Sequence, residues 1–125
     1  MNSTAKSLII KAQDNLDLAK RFIDDDNQHN VAGYNLAQAA EHFLKSLLVM
    51  RELEFPEDEE AHDLDALMQV LEEDNMSAIS SHADVIDLTP YNSLKANIGK
   101  GQRLNLHEYV GHVENLKNLV KSIVM

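Results

Sequence analysis

The sequence predicts an all-α fold, an antiparallel up-and-down helical bundle of four main helices plus one or two short ones, and three observations lead there. Apolar residues recur at three- and four-residue steps through every long segment. No convincing pair of alternating, strand-like runs appears. Pro56, Gly99 and Gly101 fall where the periodicity lapses and mark connections. At 125 residues the chain reads as a single domain spanning 1–125, long enough to bury roughly two thirds of its unfolded surface.

The first helix is predicted from Ser3 to about Ile23, with Leu8, Ala12, Leu16, Ala19 and Ile23 as its stripe. Lys20 and Arg21 suit its last turn, and the acidic run Asp24 to Asp26 opposes the negative helix end, so a turn follows through Asn27 and Gln28. Asn30 is the expected cap of the second helix. That helix carries Tyr34, Ala37, Ala40, Leu44 and Leu47 on one face with Leu36, Phe43 and Met50 beside it, a surface wide enough for a central helix. Beyond Pro56 and the acidic run Glu57 to Glu60, a third helix uses Leu64, Leu67, Met68 and Leu71. Ser77 opens a shorter one through Ile79, Ala83 and Ile86, and Thr89 with Pro90 reads as the cap and first residue of a brief helix to Ile98. Asn105 with Glu108 resembles a capping box and Leu104 with Tyr109 a hydrophobic staple, so the last helix begins at Asn105. Gly33 and Gly111 each cost about 1 kcal/mol relative to Ala inside a helix, and both are read as points of close helix crossing.

Composition removes several function classes. There is no cysteine, hence no disulfide framework, thiol nucleophile or thiolate metal site, in keeping with a reducing cytoplasmic location. No apolar run approaches the roughly 20 residues of a membrane span, and no membrane association is expected. A net charge of -10 argues against general DNA binding, which relies on Lys and Arg at phosphates. The charge is uneven: residues 1–90 hold 6 basic against 19 acidic groups, residues 91–125 hold 5 against 2, so an anion belongs near the last third. His107 and His112 in HEYVGH stand five apart, where the zinc-protease motif needs four, and the extra residue turns the second ring by about 100°. No metal and no cofactor are expected.

Within YNLAQAAEHFLKSLL, residues 34–48, Gln38, Glu41 and Lys45 share one stripe, and spacing alone makes that a solvated face with a modest Glu41 to Lys45 pair. Downstream lies AHDLDALMQVL, with His62 and Leu64 at its start. Together these stretches resemble the HEPN family (higher eukaryotes and prokaryotes nucleotide-binding domain), whose members carry a similar Gln, Ala, Ala, Glu, Lys helix followed by a His-x-Leu helix start. The resemblance implies that Gln38, Glu41, Lys45 and His62 border the groove where ligand or partner is met.

Catalytically active HEPN ribonucleases carry an Arg, four to six intervening residues, then a His near the start of the last helix, often with a Tyr two further on. In GKGQRLNLHEY, residues 99–109, Arg103 and His107 are separated by only three residues, while Tyr109 does fall two after the His. Lys100 has six intervening residues before His107 but lacks the planar fork of Arg. A phosphate at this helix start would meet free backbone amides and the positive dipole end. Arg103 would then offset charge on phosphorus and His107 would move a proton, with Lys100 and Tyr109 as further ligand contacts.

Three readings follow. The first is a dimerising HEPN module, homodimeric and partnered by a separately encoded minimal nucleotidyltransferase in a toxin–antitoxin-like pair, touching nucleotide or RNA phosphate near the last helix. The second is a toxin-like, metal-independent endoribonuclease using Arg103 and His107. The third is a plain helical protein-interaction domain. The shortened Arg to His spacing ranks the binding module above the enzyme and leaves catalysis open.

Overall fold

A computed structural model of the chain describes residues 2–93 and 98–124, with the side chains of Glu59 and Lys100 outside the description. In order it contains α1 (Ser3–Phe22), a 3-10 turn (Asp26–Gln28), α2 (His29–Met50), a 3-10 turn (Asp58–His62), α3 (Leu64–Glu73), a long 3-10 stretch (Ser77–Tyr91), a 3-10 turn (Lys100–Gln102) and α4 (Leu106–Val124). Among the described residues there is no strand, and the protein is an all-α bundle. None of these helices is long and apolar enough to cross a membrane.

α1 starts one residue after Asn2, whose side chain accepts from the Thr4 and Ala5 amides at 2.8 and 3.1 Å. Ala5, Ile9, Ala12, Leu16 and Ala19 form its buried seam. Ile9 thus takes the interior place expected of Leu8, because it continues the steps of three and four and Leu8 is turned about 100° away. The small seam lets α1 lie close along α2, its most extensive neighbour. A polar string registers the pair: Asn15 donates to Asn35 at 3.0 Å and accepts from His42 at 3.1 Å.

α2 is buried on nearly every side, from Ala32 through Leu36, Phe43 and Leu44 to Leu48, as its wide apolar surface requires. Asn30 lies inside its first turn instead of capping it. Asp25 takes the capping role one turn earlier, accepting from the Asn27 amide at 2.9 Å, and the 3-10 turn runs straight on into α2.

The short α1 to α2 connection makes that pair antiparallel. α4 also opposes α1, since Asp24 meets His107 and Lys20 meets Glu114 at 2.8 Å. α3 follows a longer connection. Its leading His62 bonds Glu41 midway along α2, and Asp74 at its far end bonds Arg51 just past α2, so α3 runs beside α2 in the same sense. Asp63 caps α3 by accepting from Asp65 N at 3.0 Å.

The segment after α3 departs from the reading of two α-helical pieces. Ser77–Tyr91 is 3-10 throughout, bent at His82, and buries Ile79, Val85, Leu88 and Tyr91 while Ala83 stays exposed. A three-residue turn stacks positions three apart, which selects Val85, Leu88 and Tyr91. Thr89 and Pro90 open no new helix: the Thr89 hydroxyl donates to Ile86 O at 2.7 Å and its carbonyl accepts from Asn92 N. Of the brief helix expected to run to Ile98, residues 94–97 lie outside the described residues, and Ser93 and Ile98 on either side of them are not helical.

α4 buries Leu106, Tyr109, Val113, Leu116, Val120 and Val124. Its start rests on the Asn105 carbonyl, which accepts from the Glu108 and Tyr109 amides at 3.1 and 3.4 Å. The capping box does not close; Glu108 instead turns toward His112, 3.6 Å away. The two helical glycines also differ from expectation. A Cβ on Gly33 would lie 2.1 Å from the Tyr91 ring, so this glycine admits an aromatic ring where a helix crossing was expected. Gly111 is exposed with nothing within 4 Å of that position, and it is no crossing point among the described residues.

Candidate functional site

Glu41 is the most buried charged residue described, 2% exposed, and it sits where α2, the approach to α3 and the end of the 3-10 stretch meet. Three side chains donate to its carboxylate: Lys45 Nζ at 3.0 Å, His62 Nδ1 at 3.0 Å and Asn92 Nδ2 at 2.8 Å. Asn92 also donates to the His62 carbonyl at 2.8 Å and accepts from Gln38 Nε2 through its own carbonyl. All four residues singled out on α2 and before α3 therefore join one network, and spacing alone had placed three of them on a solvated face. Lys45 further lies 5.4 Å above the Phe55 ring.

Asn92 is the member that sequence reasoning missed. It follows Pro90 and Tyr91 in what reads as a helical start, and no spacing rule links it to Glu41. Burial pushes the Glu41 carboxyl up, but the bonds from Asn92, Lys45 and His62 and the Lys45 charge outweigh it and hold the group below its ordinary value. It stays a carboxylate, with its donors pinning three chain segments together. A concavity of about 370 Å³ opens beside the network, lined by His62, Thr89, Asn92 and Ser93 with Glu60 and Asp63.

The second group lies at the start of α4. His107 is exposed, and its Nε2 is 2.9 Å from Asp24 Oδ1 at the end of α1. Arg103 is exposed too, and no hydrogen bond joins it to His107 among the described residues. The Arg103 charge is felt by His29 instead: burial first, then Arg103, push that imidazole below its usual value against Asp26. His29 Nε2 is 2.8 Å from the Tyr91 hydroxyl, which accepts from Leu104 N at 3.0 Å and is free to donate to a neutral imidazole. Tyr91 thereby ties the segment carrying Arg103 to the beginning of α2.

Tyr109 turns away from His107. Its hydroxyl donates to Asp87 Oδ2 at 2.6 Å, and that bond, with burial and the neighbouring carboxylates, raises the phenol to about 12. The Lys100 side chain falls outside the described residues. No group of three or more His, Asp or Glu suited to a metal occurs among those described. Chemically, the α4 start offers one guanidinium and one carboxylate-bound imidazole beside free helix amides, which suits contact with a phosphate.

The HEPN domain model matches residues 5–123 of the chain. No curated protein and no solved structure matches it.

Proposed function

The chain belongs to the HEPN family, a class of helical nucleotide-binding and ribonuclease-type modules, and from that premise we propose a dimerising module that contacts nucleotide or RNA phosphate near the start of α4 without efficient catalysis of its own. The observation that carries this reading is the placement of His107. Its imidazole is bonded to Asp24 in the turn after α1, is largely exposed, and shares no bond with Arg103 among the described residues. Acid–base catalysis at phosphorus needs cation and proton carrier fixed on one reacting group, and a misplacement of about 1 Å can cost roughly a hundredfold. The acidic end of α1 also opposes an anion on the His107 side, leaving Arg103 as the favoured contact.

In this proposal the module forms a homodimer and pairs with a separately encoded minimal nucleotidyltransferase, as a toxin–antitoxin-like couple, in the cytoplasm. The Glu41 network supports the phosphate contact by holding Asn92, and so the start of the connection leading to Arg103, in place.

One observation favours the ribonuclease reading. Asp24 occupies Nε2 of His107 and no described residue bonds its Nδ1, so that nitrogen can meet a 2'-hydroxyl while the carboxylate holds the ring and its tautomer. An RNA cleavage assay with chelator present separates the two. The binding module predicts no appreciable cleavage by the parent protein, with phosphate-dependent RNA binding that Arg103→Ala weakens. Robust cleavage lost in both Arg103→Ala and His107→Ala, by roughly a hundredfold or more for the His, replaces it with the enzyme.

A further inference from the structure

A second concavity, of about 550 Å³, lies between the Ser77–Tyr91 stretch and the segment leading into α4. That volume falls within the roughly 300 to 1,000 Å³ typical of small-molecule pockets. Its walls are mainly apolar, with Ile86, Pro90, Leu104 and the Tyr91 ring among them, and among the described residues Asp87 and Gln102 line it as polar side chains besides the Tyr91 hydroxyl. Gln102 and Leu104 flank Arg103 in the chain, so a cation suited to phosphate is covalently framed by two residues of this pocket. The geometry points to a base pocket that receives guanine, from a mononucleotide or from unpaired RNA, with the attached phosphate toward Arg103. The inference rests on the phosphate contact proposed above and deepens it by naming the base.

Apolar walls suit the faces of a flat heterocycle, and single-stranded bases are read by stacking together with bonds to their edges. The edge chemistry here is selective. A carboxylate only accepts hydrogen bonds, and each of its oxygens has two acceptor positions. Tyr109 takes one position on Asp87 Oδ2 at 2.6 Å, which fixes the carboxylate and leaves an acceptor on both oxygens. Guanine presents two adjacent donors, N1–H and the 2-amino group, to such a pair. Adenine and cytosine place an unprotonated ring nitrogen next to the amino group, which repels the carboxylate, and uracil offers one N–H between two carbonyls. The Gln102 amide can donate to the guanine 6-oxo group or N7. Because Tyr109 keeps its proton up to about 12, it remains a donor to Asp87 across the neutral range.

The test is a binding titration of the intact protein with guanosine, adenosine and uridine monophosphates, inorganic phosphate, and single-stranded oligoguanylate and oligoadenylate. The expected result is a guanine preference of about tenfold or more, the scale of one bidentate base contact. Preference among mononucleotides assigns a nucleotide ligand, and preference only among oligonucleotides assigns RNA. Asp87→Asn should erase the preference while leaving phosphate-dependent binding, since an amide oxygen still accepts from Tyr109. Gln102→Ala, at an exposed position, should weaken guanylate and leave inorganic phosphate unchanged. Arg103→Ala should weaken all phosphorylated probes alike. Equal binding of guanylate and adenylate by the parent, or a preference that survives in Asp87→Asn, overturns the guanine pocket while leaving the phosphate contact standing. No binding of any probe overturns both.

Discussion

At the scale of single residues, two glycines that look alike in the sequence have opposite roles. Gly33 faces the ring of Tyr91, which is 2% exposed and tethered through its hydroxyl to His29 and Leu104, so the ring cannot swing aside when a methyl arrives. Gly33→Ala should therefore destabilise the protein by about 2 kcal/mol, the usual cost of overfilling a packed site. Gly111 has open space around it on an exposed helical face, and Gly111→Ala should stabilise by about 0.5 to 1 kcal/mol through reduced backbone entropy. Denaturant unfolding of both variants checks the pair, and equal effects would refute the assignment. Both positions are legible in the sequence as glycines inside helices. Their difference is not, because the group that fills the space at Gly33 lies far along the chain.

At the scale of elements, the helix ends carry a backbone strain that periodicity does not reveal. α2 ends with Glu52 at φ 58°, where Leu53 N bonds Leu48 O at 2.9 Å and Glu52 N bonds Val49 O at 3.1 Å. α3 ends in the same pattern with Asn75 at φ 65°, through Met76 N to Leu71 O and Asn75 N to Glu72 O, both at 3.0 Å. Both are left-handed helix terminations of the kind that glycine favours and Asn tolerates. Glu52→Gly should thus raise stability by about 0.5 to 1 kcal/mol, whereas Asn75→Gly should change it little. A shifted denaturation midpoint with an unchanged slope for the first variant alone is the expected measurement. Residues 77–91 hold the other lesson at this scale. A four-step reading selected Ala83 and Ile86, and the three-step turn buries Val85 and Leu88 instead.

At the scale of the molecule, three imidazoles shape the response to acid. His29, His42 and His82 are all held below the ordinary value of 6.5, chiefly by burial. At His42 the Lys45, Lys11 and His62 charges add to this and Glu41 opposes it. Such groups bind protons more readily in the unfolded chain, so their contribution is complete above about pH 6.5 and is lost as pH falls through that value toward the folded one. Glu41, held below its ordinary 4.5, acts in the same direction at lower pH. Relief of the net negative charge works against both, so the informative quantity is a difference between variants. His42→Gln retains a donor for Asn15 and cannot titrate. Its stability should fall less than the parent's between pH 7 and pH 5, and parallel curves would exclude His42 as a contributor.

Much of this molecule is written locally. The apolar steps of α1, α2, α3 and α4, the central position of α2, and the polar stripe of Gln38, Glu41 and Lys45 depend on residues three or four apart, and such neighbours are already close once a helix forms. The resemblance to HEPN proteins was carried by the same stretches. Only the tertiary structure decided that Asn92 would complete the Glu41 network, that Tyr91 would fill the space at Gly33, that Tyr109 would turn to Asp87, and that His107 would meet Asp24. These partners are separated by 51, 22 and 83 residues for Glu41, Tyr109 and His107. Their meeting depends on which apolar faces pack and on the path of the connections between them, and no short-range spacing specifies either.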